Sequence, residues 1–434
     1  MKNKLLLQMS LLFLLLLPLE ASTQVYTVDA LIRLAIQNSP ELKISELHLS
    51  ASQEEHNIAQ AAYYPRLDLQ ASAAKLGASD ILQKNKGMID DTLLSGTLSL
   101  QQLIYDFGKT GANSDFTKYE SQSSSFENIQ KIADKKRDVK EAYYNVLKAI
   151  ALISVQRENV KLNKAQLYRS KQYFKAGIRT KIDISDAKVA LIKSQIDLKN
   201  AQYNLKLAYA TLDKVVGFSS LEQEYQVYAQ TLDFNTMQES VTDYELTLPE
   251  AIRYAYEHKP TIKAYNFKIK GSHALINGTT SEYYPDFSFG AGYTKQKLDK
   301  YQLLQPEDQW QLGVNLNWNI YQGGASHSRV QKSKLNAAAS DYALQELKLS
   351  VKKEVTSEYI NVARKKDTLT LSHSLLVVSS QKFDQAAKRY EHGLSDYIEL
   401  QQARQDYIDA KALLVIDYYN YYIAKAKLDN AIGK

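Results

Sequence analysis

Three places in this 434-residue chain carry residue types that could do chemistry. Gly108-Lys109-Thr110 could close a phosphate-binding loop, in which backbone amides and a lysine cradle a polyphosphate. That loop also needs a glycine at position 103, and the chain has Leu103. Gly290-Ala291-Gly292 has the spacing of a dinucleotide-binding turn, but it lies inside an alternating, strand-like run and not at a strand-to-helix turn. Asp183 and Asp186 are three apart, hence neighbours on one helix face. A helix cap and first-turn acid would account for such a pair. The seven histidines are scattered without ligand spacing and there is no cysteine, which removes thiolate zinc sites and thiol nucleophiles. No catalytic residue, metal site or cofactor is expected, and the chain does not read as an enzyme.

Composition narrows the class. The 54 basic and 48 acidic side chains leave a net charge of +6. Solvated lysine-rich helix faces explain that excess, and no nucleic-acid partner is expected. A mean hydropathy of −0.39 excludes a polytopic helical membrane protein. The start, MKNKLLLQMSLLFLLLLPLEASTQ, has two lysines, an apolar run from Leu5 to Leu17 and then small and polar residues. It reads as a signal peptide over residues 1–23, too short to span a bilayer. Export without cysteine leaves packing and assembly to provide stability. Tyrosine is abundant, 31 against 11 phenylalanines, and suits sites that are half apolar and half wet.

The chain is written twice. VDALIRLAIQNSP from Val28 aligns with LPEAIRYAYEHKP from Leu248, and Tyr63-Tyr64-Pro65 recurs 220 positions later as Tyr283-Tyr284-Pro285. Downstream the offset is 216, pairing Tyr105 with Tyr321, Gly108 with Gly324, Gly177 with Gly393, and TLDKVVG with KLDNAIG. Residues 24–217 and 245–434 read as two structural repeats joined by a linker over 218–244. Two copies are too few for a solenoid.

Each copy begins with two short helices, and Pro65 or Pro285 stops the second. Two strands follow, expected over about 65–74 and 94–105 in the first copy and 285–294 and 309–321 in the second. In the last of these, Trp310, Leu312, Val314, Leu316, Trp318 and Ile320 share one face, while Gln311, Gly313, Asn315, Asn317 and Asn319 share the other. About eleven residues at roughly 3.3 Å, tilted by roughly 40°, rise about 28 Å, close to a bilayer's hydrocarbon thickness. Tyr64, Tyr105, Tyr284, Trp310, Trp318 and Tyr321 lie at or near strand ends, where an aromatic girdle would sit. A soluble sheet packed on helices would show the same alternation.

The helices separate the two readings. Ile132, Val139, Val146, Ile153, Val160, Leu167 and Phe174 recur every seven residues, as do Val355, Val362, Leu369, Leu376, Phe383 and Tyr390. The repeat resumes after each glycine, through Ile184 to Leu212 and through Leu400 to Leu428. Such heptads predict coiled-coil-like packing. Some 60 helical residues would run roughly 90 Å, far longer than a compact domain needs. Each hairpin is expected to turn at a helix-terminating glycine, Gly177 or Gly393. Four strands cannot close a barrel alone, and an open edge in lipid is costly, so the chain is expected to oligomerise.

This layout resembles the TolC-like outer membrane efflux proteins, on the duplicated halves, the Tyr-Tyr-Pro entrances, the YDFG and YQGG exits, and the tips YFKAGIRTKIDISDAK and RYEHGLSDYIELQQAR. The resemblance implies a mainly α fold with a transmembrane β part: a homotrimer whose 12-stranded barrel in the outer-membrane lipid of a Gram-negative bacterium continues as a periplasmic α-helical barrel. It implies an exit duct of a tripartite efflux or type I secretion system, passing drugs, toxic compounds or proteins. The partners would be a periplasmic adaptor and an inner-membrane pump of RND, ABC or MFS type. Residues 218–244 would form the equatorial region. On this reading Asp183 and Asp186 make an acidic ring at the periplasmic mouth, Arg179, Phe174 and Tyr390 are candidates for tip-closing contacts, and Gly177 and Gly393 serve as hairpin turns and adaptor contacts. The second copy has Glu399 and Gln402 in place of the two aspartates and Ser395 in place of Arg179. Two rivals remain at this stage. A periplasmic adaptor needs one hairpin and a soluble β-domain, and a coiled-coil surface protein would lack paired strands.

Overall fold

The computed structural model describes residues 24–79, 88–218, 225–229, 233–234, 236–298 and 307–434. The expected signal peptide and parts of the expected linker lie outside the described residues. The elements, in chain order, are β1 (Gln24–Tyr26), α1 (Val28–Asn38), α2 (Pro40–Ala61), β2 (Arg66–Ser79), β3 (Met88–Tyr105), α3 (Lys109–Lys175), α4 (Lys181–Val216), β4 (Tyr225–Val227), α5 (Leu248–His258), α6 (Pro260–Thr280), β5 (Asp286–Leu298), β6 (Asp308–Asn317), α7 (Ala325–Glu391) and α8 (Tyr397–Ile432). The order of two short helices, two strands, a long helix and a return helix occurs twice.

Local chemistry sets the boundaries. Thr27 Oγ1 accepts the Ala30 amide at the start of α1, and the Glu250 carboxylate takes back the Thr247 amide at the start of α5. Pro40 and Pro260 open α2 and α6, where a missing N–H costs nothing. Tyr-Tyr-Pro then separates α2 from β2 and α6 from β5. The strands depart from expectation at their ends. β2, β3 and β5 run further, to Ser79, from Met88 and to Leu298. β6 stops at Asn317, whose partner is Asp286, because the next position of the partner strand is Pro285, which has no N–H to give the ladder, and the Trp318 indole N–H donates to the Tyr283 carbonyl at 3.1 Å. Ile320 and Tyr321 therefore lie beyond the strand.

The chain folds as two compact units, and each draws on both halves of the sequence. One takes in the described residues up to Pro40, then Asp134–Glu245 and Glu358–Leu428. In it β1 pairs parallel with β4, and Tyr26, Tyr209 and Phe218 surround Tyr225 at centroid distances of 5.7, 5.5 and 5.3 Å. Leu31, Val139, Val146, Leu212 and Val216 pack beneath this ladder. A second core joins Val155, Leu369, Leu376, Ile408 and Leu414 to Met237 of the inter-repeat segment. Gly217 lies so close to the α1–α2 junction that a Cβ there would sit 2.8 Å from the Asn38 carbonyl oxygen.

The other unit comprises Glu41–Ala133, Leu246–Ser357 and Asp429–Lys434. Its sheet is antiparallel in the order β2-β3-β5-β6. Register puts Leu67, Leu69, Leu98, Leu100, Phe287, Phe289, Leu312, Val314 and Leu316 on one face. The opposite face carries Gln70, Ser72, Ser95, Thr97, Thr294, Gln311 and Asn315. There Ser72 bonds Ser95 at 2.8 Å and Thr97 bonds Thr294 at 3.1 Å. Val314 is 64% exposed and Leu69 78% exposed. A sheet face with an apolar band bare to this degree requires an apolar surrounding.

Candidate functional site

Two helical turns, one per repeat, form the candidate site, all within the first unit. Each ends a 67-residue helix in the same way. Gly177 has φ +73°, its amide donates to the Phe174 carbonyl, and the Ile178 amide donates to the Tyr173 carbonyl at 2.9 Å. Gly393 has φ +75°, with Gly393 on Tyr390 and Leu394 on Arg389 at 2.8 Å. This double bond pattern satisfies the last helical carbonyls and requires a left-handed residue, hence glycine.

The return helices start with different caps. At α4 the Asp183 carboxylate accepts the Thr180 amide at 3.2 Å, so the cap role expected for this acid is occupied by one of its oxygens. At α8, Asp396 accepts the Glu399 amide at 2.9 Å, while Glu399 itself faces Arg389 at 3.4 Å on an exposed surface. Glu399 therefore does not repeat the setting of Asp183.

Arg179 joins the two turns. Its Nη2 donates to the Ser395 carbonyl at 2.9 Å, and its guanidinium lies 4.7 Å from the centre of the Tyr390 ring. The contact runs between the two hairpins of one chain. Tyr390 and Tyr397 are 2% and 3% exposed and meet edge to face at 6.3 Å. They pack with Ala187, Ala386, Leu400 and Ala403, and Leu167 and Phe383 flank them. Burial pushes both phenols up. Ser170 and the Arg179 charge oppose the shift at Tyr390, as Arg404 does at Tyr397. Asp183 adds its negative field to both rings, and Asp186 adds its own at Tyr397, which places the acid pair beside this aromatic core.

Phe174 departs from the expected heptad line. It is 44% exposed, and its helix instead buries Asn159, Asn163, Gln166 and Ser170 over this stretch. Gln166 Nε2, Ser170 Oγ and the Tyr390 hydroxyl lie together without closing an aligned hydrogen bond. Sequence reasoning missed this polar seam, and it missed a second heptad on α4. Ile182, Val189, Ile196 and Tyr203 recur every seven residues and are 69%, 66%, 54% and 61% exposed. A search for more than one heptad register per helix finds the second of these.

The strand-end aromatics fall into two groups. Tyr284 stacks on Phe107 at 4.9 Å, Phe107 meets Tyr105 at 4.8 Å, and Tyr64, Trp318 and Tyr321 are exposed at the same strand entrances, next to Pro65 and Pro285. Trp310 sits at the far end of β6, paired with Tyr293. Among the described residues no cluster of side chains could hold a metal ion, and no helix is long and apolar enough to cross a membrane.

The family profile for the outer membrane efflux proteins matches residues 31–218 and again 251–434. The outer membrane protein TolC of Escherichia coli is 22% identical over 415 residues, spanning 91% of this chain and 80% of that protein. TolC of Vibrio cholerae is 21% identical, over 92% and 89%. The CusC structure superposes with a TM-score of 0.80 at 17% identity, covering 94% of this chain and 92% of that one. The CmeC outer membrane channel of Campylobacter jejuni gives 0.78 at 16% identity, over 94% and 85%. With matched helical hairpins and paired strands in each half, the chain belongs to the outer membrane efflux protein family.

Proposed function

We propose that this chain is the outer-membrane exit duct of a tripartite efflux or type I secretion system, working as a homotrimer in a Gram-negative envelope. The observation that carries the reading is the four-stranded sheet, with one face apolar and exposed, the other amide- and hydroxyl-lined, and open edges at β2 and β6. Three copies joined edge to edge make a 12-stranded barrel with its apolar face in lipid and its polar face on a wet lumen. Residues 24–217 and 245–434 act as the two repeats, with 218–244 as the equatorial segment. The exposed α4 stripe, Ile182 to Tyr203, suits packing against a neighbouring chain in the helical tube. The turns at Gly177 and Gly393 present the surface for a periplasmic adaptor, which links the duct to an inner-membrane pump. Asp183 and Asp186 from three chains ring the periplasmic mouth, and Arg179 with Tyr390 holds each chain's hairpins together there. An adaptor or a surface coiled coil has no use for a membrane-high sheet with a bare apolar face.

Assembly tests this reading. Unboiled protein extracted from outer membranes should migrate as a trimer and boiled protein as a monomer. Val314→Arg, on the apolar face, should cost roughly 2–4 kcal/mol per site and reduce trimer yield, whereas Asn315→Arg should assemble normally. Equal yields from the two variants would show the faces to be wrongly assigned.

A further inference from the structure

The sheet's apolar face ends in lysines, and the duplication places two of them at one level. Counting from each strand-entrance proline, the outward residues of β2 are Leu67, Leu69, Ala71, Ala73 and then Lys75. Those of β5 are Phe287, Phe289, Ala291, Tyr293 and then Lys295, followed by Lys297. Lys75 and Lys295 are repeat equivalents, each ten positions past its proline. Ten residues at roughly 3.3 Å, tilted by roughly 40°, rise about 25 Å, the height of the apolar band of an outer-membrane barrel. The lysines therefore sit where hydrocarbon gives way to headgroups on the side of the membrane away from the strand entrances. Tyr293 and Trp310, cross-strand partners, lie just below Lys295 as the aromatic belt.

A lysine just outside an aromatic belt extends its ammonium toward lipid phosphate. Lys295, with its side chain 62% exposed, meets Asp308 across the β5–β6 pair at 3.3 Å. An exposed pair of this kind is weak, and an ammonium has three donors, so Lys295 keeps capacity for a second anion. Lys75 and Lys297 are likewise exposed. The opposite, lumen-facing side at this height carries Ala74, Thr294 and Gln296. The positive charge is thus confined to the lipid side.

We infer that Lys75, Lys295 and Lys297 form a phosphate-binding rim for the phosphorylated glucosamine headgroups of outer-leaflet lipid A. The inference rests on the proposed trimeric barrel, in which three chains supply six equivalent lysines at one height, from Lys75 and Lys295, with Lys297 beyond. Charge sign, height and sidedness fit a phosphorylated lipid better than a protein loop, because the rim borders the lipid-facing band.

The test uses trimers extracted from outer membranes, delipidated in detergent and titrated with lipid A carrying both phosphates or with the same lipid after phosphate removal. Native mass spectrometry reads occupancy. The phosphorylated lipid should bind with at least about tenfold preference, and Lys75→Gln or Lys295→Gln should each weaken it about fivefold while leaving the dephosphorylated lipid unchanged. Lys75→Arg and Lys295→Arg should retain the preference. Equal binding of the two lipids by the unaltered trimer overturns the proposal, as does an undiminished preference in both Gln variants. A chain that yields no heat-modifiable trimer at all would instead overturn the barrel reading, so the two failures are distinguishable.

Discussion

The two helical hairpins descend from one duplicated plan, yet they are held together differently. Along α7 the heptad line stays apolar and buried through Val355, Val362, Leu369 and Leu376 and closes on Tyr390. Serines occur beside it, and Ser372 is satisfied by the buried Asp417 carboxylate. Along α3 the line is apolar and buried through Val139, Val146, Ile153 and Val160, but from Asn159 on the buried face is mainly polar, with Asn159, Asn163, Gln166 and Ser170. Asn163 donates to the Asn159 side chain at 2.9 Å, but Gln166 Nε2 and Ser170 Oγ nearer the turn are buried without aligned partners, which forfeits most of what their burial would contribute. The return helices differ in the same sense. α8 buries Leu400, Leu414, Tyr421 and Leu428, while α4 buries mainly Ala187, Ala190 and Ser194 in its turn-proximal half and leaves an apolar stripe outside. The second hairpin is therefore the anchored one near the turns, and the first is held there by few strong contacts.

The largest expected effect follows from the anchored seam. Leu369→Ala should cost about 2–5 kcal/mol, read as a lower temperature of trimer dissociation. A change as small as that of a surface substitution would erase the distinction between the hairpins. Next comes the link between the turns. Arg179→Ala removes both the Ser395 hydrogen bond and the contact with the Tyr390 ring, a loss of about 1–2 kcal/mol. In planar bilayers its resting conductance should rise, whereas Arg389→Ala, which disturbs the exposed pair with Glu399 and a long 3.5 Å bond to the Leu394 carbonyl within its own hairpin, should leave conductance as it was. Similar conductance in the two variants would deny Arg179 its role as the clasp.

The acids sharpen the comparison further. Asp183→Ala with Asp186→Ala should weaken cation selectivity and divalent block, because three chains would lose a confined negative ring. Loss of the Asp183 cap bond should add a cost of about 0.5–2 kcal/mol. Asp396→Ala should carry a similar stability cost with selectivity intact. If selectivity survives in the double variant, Asp183 and Asp186 are helix caps alone. The smallest effect should have the opposite sign. Ser170→Ala removes a fully buried oxygen that lacks an aligned partner and should be neutral or stabilising by up to about 1 kcal/mol. Clear destabilisation would mean that the polar seam holds the first hairpin as firmly as leucines hold the second.

Much of the architecture was legible because its signals are periodic. Alternation from Trp310 to Ile320 marked two sheet faces, and sevenfold spacing marked the long helices. Strand ends were less legible. Asp90 and Asp91 hide the start of β3, while Trp318 and Ile320 continue the β6 alternation after hydrogen bonding has left the ladder. The β1–β4 pair joins three residues near Gln24 to three near Tyr225, a contact too short and too distant to leave a local pattern. At the turns, Arg179 and Asp183 drew attention by their type. Their partners, a backbone carbonyl and a backbone amide, are invisible to residue identity. Asn159, Asn163, Gln166 and Ser170 carry no signal of burial in the sequence, because polarity at helical spacing ordinarily means water.

The equal helix lengths of the two hairpins act as a ruler with coarse graduations. Both outgoing helices have 67 residues and both return helices 36. Deleting one residue from α3 would rotate everything beyond it by about 100° and shorten the arm by about 1.5 Å. That would remove Arg179 from the reach of Ser395 and turn the buried seam outward. Length can therefore change without loss of register only in steps of seven, about 10 Å each, made in both arms of both hairpins together. Descendants of this chain can drift freely in sequence along their helical surfaces, but their reach is quantised.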